Sequence, residues 1–117
     1  MKNTDTIAAL NQSLADTTVT TMLAQNFHWN VKGMAFGPLH ALFQEIYEDH
    51  FTAQDDLAER IKALDGFANG NLSQMVANSA ITEQDGPTTS KQMIEHMATA
   101  QDQLAKSMKS LAIIADA

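Results

Sequence analysis

Apolar residues recur at three- and four-residue spacings through three long stretches of the chain. Between Thr4 and Val31 the repeat runs through Ile7, Leu10, Leu14 and Met22 to Gln25. That period predicts an amphipathic helix, with Thr4 or Thr6 as its cap and Asp5 favourable in its first turn. The run Thr17-Thr18-Val19-Thr20-Thr21 is β-branched and locally weak for helix. The apolar period passes through it without a change of phase, so the helix is predicted to continue until Gly33 ends it.

Gly33 and Gly37-Pro38 break the chain before a second repeat. Pro38 suits the first turn of a helix, where its missing N–H costs nothing. From His40 to Leu64 there is neither glycine nor proline. Leu39, Leu42, Phe43, Ile46, Leu57, Ile61 and Leu64 are predicted to point inward, and Gly66 to close the helix as its C′ residue. Phe67 to Pro87 reads as a long connection with turns at Asn69-Gly70-Asn71 and Asp85-Gly86-Pro87. A short helix is expected over Ser73–Asn78, capped by Ser73. Thr89-x-x-Gln92 is a capping box that opens a third long helix. Its stripe is Met93, Met97, Ala100, Leu104, Met108 and Leu111, and methionine at this spacing reads as flexible core filling. The prediction is one all-α domain over residues 1–117, with three long helices and a short connecting one.

Composition narrows what such a domain does. The chain has no cysteine, which removes disulfides and thiolate metal sites and suits a reducing cytosol. Met1–Asp5 is not followed by the apolar run of a secretory signal. No stretch approaches the roughly 18 apolar residues of a membrane span. A cytoplasmic protein is the expectation. The net charge is −7, which favours attraction of divalent cations. The clustered lysines and arginines of a nucleic-acid binder are missing.

The candidate chemistry lies between His28 and Glu59. On the second helix, His40, Gln44, Asp55 and Glu59 fall at about 0°, 40°, 60° and 100°, which is one face. Along the axis, His40 and Asp55 are roughly 22 Å apart, too far for one metal site within one chain. Two copies crossing antiparallel about a two-fold axis near Glu48–His50 would bring Asp55 and Glu59 of one to His40 of the other. Such a contact makes two sites at once. His28 follows Ile7 by three heptads, through Leu14 and Thr21, and shares the side of the apolar stripe. By spacing alone it reads as a buried histidine bonded to a backbone carbonyl. Trp29 reads as packing. Glu48, Asp49, His50 and His96 read as surface residues.

The order HWNVKG from His28, then Phe36 with Leu39-His40, then Asp55 with Ala58-Glu59-Arg60, resembles the Dps-type mini-ferritins, the DNA-binding proteins from starved cells. The resemblance covers roughly Thr6 to Ala117 and is most specific between Asn26 and Gly66. It implies a ferritin-like fold and a homo-oligomer, a dodecamer in the family. It also implies a ferroxidase that oxidises Fe(II) with hydrogen peroxide or oxygen and stores Fe(III), protecting against oxidative stress. The implied iron ligands are His28 and His40 of one subunit with Asp55 and Glu59 of its two-fold partner. On this reading His28 is a ligand.

Two departures stand out. Where the family carries a carboxylate four residues after the second histidine, this chain has Gln44, a neutral and weaker ligand for a second metal position. The family pattern also continues with a fourth long helix that this sequence lacks. An apolar groove is therefore expected, belonging to a fragment, filled by another chain, or left by an assembly unlike the family's. Two competing readings follow: a DNA-compacting nucleoid protein, against which the charge argues, and a helical interaction module with a vestigial iron site.

Overall fold

The computed structural model describes residues 2–86 and 88–116. Four helices follow one another: α1 (Lys2–Asn30), α2 (Phe36–Ala63), α3 (Leu72–Asn78) and α4 (Ser90–Asp116). No strand occurs among the described residues. The body is elongated, 52 × 24 × 21 Å. The rod at its centre is α1, which packs against each of the other three helices.

The β-branched run stays helical because tertiary packing outweighs its weak propensity. Thr17 and Thr20 are fully buried, and the Thr20 and Thr21 hydroxyls donate to the carbonyls of Asp16 and Thr17 one turn back. Thr4 and Thr6 lie inside α1, which already begins at Lys2, so neither is its cap. Two apolar clusters flank this rod. One joins Val19, Leu23 and Phe27 to Phe43, Met93 and Met97. The other joins Leu10 and Leu14 to Ile61 and Met75. Met93 and Met97 of α4 thus serve as core, while Met108 is half-buried and in neither cluster. Met22 and Leu42, expected inside, are 48% and 45% exposed.

Helix ends follow local chemistry, with two corrections. The capping box is formed: Gln92 N–H donates to Thr89 Oγ1 at 3.1 Å, and Thr89 N–H donates to Gln92 Oε1 at 3.0 Å. The short helix is capped by Asn71, whose Oδ1 accepts from Gln74 N–H at 3.0 Å, and not by Ser73, which lies within it. At the end of α2 the left-handed residue is Asp65, with φ 65°. Asp65 N–H bonds to Lys62 O and Gly66 N–H to Ile61 O, each at 3.0 Å, which is the Schellman pattern. Gly66 has a different reason to lack a side chain. A Cβ there would stand 2.9 Å from Ile7 Cγ2 and 3.0 Å from Ile61 Cγ2. Pro87, expected in a turn with Asp85 and Gly86, lies outside the described residues.

The connection between α2 and α4 is fastened by a buried acid. Asp16 is 1% exposed. Its Oδ1 accepts from Ser79 Oγ and from Ala80 N–H, both at 2.8 Å. These bonds give the carboxylate the partners that burial demands.

Candidate metal centre

The break between α1 and α2 is a tight turn. Gly33 adopts φ +103° there, a region open to glycine and costly for other residues. Phe36 N–H donates back to Gly33 O at 3.1 Å. No side chain caps the start of α2, so the two helices are fastened otherwise.

His28 and His40 do that fastening. The Nδ1 of His28 lies 2.7 Å from the carbonyl oxygen of His40, and the Nδ1 of His40 lies 2.7 Å from that of His28. A carbonyl oxygen only accepts, so each Nδ1 carries the proton and donates. The last carbonyls of α1 have no helical partner, and His40 satisfies one of them. With Nδ1 protonated in the neutral ring, each Nε2 keeps a free lone pair, which is the state of a metal-ligating imidazole. The two rings stack with centroids 3.7 Å apart and planes 21° apart. His28 is 8% exposed and His40 half-buried. The spacing-based reading of His28 and its reading as a ligand are therefore compatible: one nitrogen bonds the backbone and the other stays available.

Asp55 and Glu59 lie on the exposed face of α2, distant from this pair in the same chain. Asp56 joins them, and ligand oxygens of the three lie within 4.8 Å of one another. Asp56 did not stand out in the sequence, although its spacing of one from Asp55 and three from Glu59 carries the signal. Gln44 sits one turn after His40 and donates from Nε2 to Glu48 Oε1 at 2.7 Å. That bond points the amide NH2 at Glu48, and the amide oxygen, the only acceptor of the side chain, is the atom Gln44 can offer a cation.

Three further residues differ from expectation. His50 is no surface residue: its side chain is 13% exposed and its Nε2 donates to Gln101 Oε1 at 2.7 Å, clasping α2 to α4. His96 is half-buried, donating from Nε2 to Thr82 O at 2.8 Å and standing edge-on to Phe27. Trp29, expected in packing, is 61% exposed.

Three long helices with α1 at their centre, and a short helix in the last connection, form a helical bundle of the ferritin-like class. The family model for the ferritin-like domain matches residues 7–117. General stress protein 20U of Bacillus subtilis is 34% identical over 94% of this chain and 76% of its own length. DNA protection during starvation protein 2 of Bacillus anthracis is 37% identical over 80% of this chain and 64% of its own. The crystal structure of the Dps protein from Vibrio cholerae, described as a ferritin-like diiron-carboxylate protein, superposes with a TM-score of 0.93 at 28% identity. That match covers 98% of this chain and 72% of that one. The chain belongs to the Dps-type mini-ferritins of the ferritin-like family.

Proposed function

We propose that this chain is a ferroxidase that stores iron, with its oxidation site shared between two-fold related copies. His28 and His40 of one copy and Asp55 and Glu59 of the other bind Fe(II), and the product is kept as Fe(III) inside a homo-oligomer in the cytoplasm. The observation that carries this reading is the pair of Nδ1–H bonds between the stacked rings, which leaves each Nε2 with a lone pair for a metal. Imidazole and carboxylate together suit iron. Carboxylates stabilise the harder ferric product. With hydrogen peroxide the reaction balances as two Fe(II) each losing one electron while the O–O bond breaks and yields two hydroxides. Oxidation that consumes peroxide in this way also protects the cell against it.

The shared site draws support from the surface around α2. Met22, Phe51, Leu72 and Val76 are 48%, 68%, 70% and 43% exposed and line one groove of about 410 Å³ between α1, α2 and α3. Trp29 lies two turns beyond Met22 on the same face of α1. Exposed apolar residues gathered in one groove support a docking surface for a second copy there. Phe51 stands beside the Glu48–His50 position that an antiparallel crossing requires.

Anaerobic Fe(II) titration tests the reading, and Gln44 sharpens it. The unaltered protein should bind Fe(II), and Gln44→Asp should bind more tightly and take up more ions per site. A carboxylate there adds charge on the face that holds His40. Equal stoichiometry and affinity by calorimetry would separate Gln44 from the metals.

DNA binding is a second reading, prompted by the names of relatives such as the Bacillus anthracis protein. We reject it on charge. Seven lysines and arginines face fourteen aspartates and glutamates, and phosphate contacts need released counterions. The protein should not retard duplex DNA at physiological salt, whereas a stable complex without an added basic partner would reverse this view.

A further inference from the structure

We propose that Phe36 is a positioning residue for the histidine pair, holding the imidazoles in the orientation that presents their Nε2 atoms. The proposal rests on the reading of that pair as an iron site. Phe36 is the first residue of α2 and 43% exposed, and it belongs to neither apolar cluster. A helix start does not need a large exposed aromatic side chain, so its placement calls for another cause. The ring lies 4.8 Å from the His40 ring, centroid to centroid, with planes 21° apart. His40 stacks in turn on His28, and the Tyr47 ring meets His28 edge-on at 5.3 Å and 70°. The two imidazoles are thus the inner members of a row of four rings.

The Nδ1 bonds alone leave each ring a softness. The χ2 torsion of histidine is broad and two-fold; a half-turn puts Cε1 in place of Nε2 and takes Nδ1 off its carbonyl, so the Nδ1 bond and the stacked rings oppose it together. His28 is buried and cannot turn freely. His40 is half-buried at the exposed end of the hairpin, and Phe36 covers its outer face. Parallel aromatic faces in contact favour this arrangement. Groups that orient a metal ligand commonly alter metal affinity about 10- to 100-fold when removed.

The test uses the full, assembled protein with nitrogen-15-labelled histidine. Long-range nitrogen–proton spectra read the tautomer of each ring without metal, and cobalt(II) titration reads affinity. Phe36→Leu keeps apolar bulk and removes the stack, while Phe36→Tyr keeps the ring. Phe36→Leu should reduce the Nδ1–H tautomer of His40 and weaken cobalt(II) binding about 10- to 100-fold, and Phe36→Tyr should preserve both. Retention of the unaltered tautomer in Phe36→Leu overturns the proposal, as does a Phe36→Tyr protein that is as impaired as Phe36→Leu. If the unaltered protein binds no cobalt(II), the metal reading fails, and the tautomer populations still decide the role of Phe36.

Discussion

Two variants that are each inactive should regain Fe(II) oxidation when they assemble together. One carries His28→Ala and His40→Ala, the other Asp55→Ala and Glu59→Ala. Each alone should lose rapid oxidation, because every one of its sites lacks half its ligands. In a mixed two-fold dimer, intact histidines face intact carboxylates at one site, and the second site lacks all four side chains. Random pairing makes about half the dimers mixed, so about a quarter of all sites should be whole. The chains must be co-expressed or refolded together, since stable assemblies mixed afterwards keep their own subunits. Stopped-flow absorbance with hydrogen peroxide gives the rate, and native mass confirms the mixed dimers. Mixed dimers without oxidation would remove the shared site.

The second large effect is on stability. Phe27→Ala should cost about 3–5 kcal/mol, a large share of the roughly 5–15 kcal/mol that holds a domain folded. Phe27 is fully buried, with its ring 5.6 Å from that of Phe43 and 5.7 Å from that of His96. It therefore ties α1 to both α2 and α4 one residue before His28. The cavity left by its loss sits where three helices meet, and a rigid helix junction cannot close over it. Urea unfolding at fixed protein concentration measures the cost, since assembly makes apparent stability concentration-dependent. A loss under about 1 kcal/mol would place Phe27 outside the packing it is assigned.

Local rules read well from the sequence, while rules that need a distant partner did not. The Thr89–Gln92 box joins residues three apart, and both its bonds are formed. Gly66 was legible as a helix-end glycine, yet Asp65 takes the left-handed turn. Glycine at position 66 is needed because Ile7, fifty-nine residues earlier, comes so close. Met22 and Leu42 match the apolar period and still face outward. Periodicity registers an apolar face without saying whether a core or another surface covers it. Asp16 escaped notice for the opposite reason: a polar residue breaks no pattern, and its partners Ser79 and Ala80 lie far along the chain.

At the candidate site, helix arithmetic showed that His40 and the Asp55–Glu59 pair are too far apart to meet in one chain. It was blind to the reciprocal bonds between His28 and His40. Those bonds cross a turn whose path depends on the φ of Gly33, and twelve residues of spacing carry no such information. In the sequence Phe36 stands out as part of a pattern, but its stacking on His40 is not legible there, because stacking depends on side-chain direction and not on order.

Whether metal is held between chains is decided by anomalous diffraction from crystals soaked with Fe(II) without oxygen. Iron should appear bound by Nε2 of His28 and His40 from one protomer and by carboxylate oxygens of Asp55 and Glu59 from its two-fold partner. Iron held within a single chain, at the exposed Asp55, Asp56 and Glu59 cluster with the histidine pair empty, would contradict it.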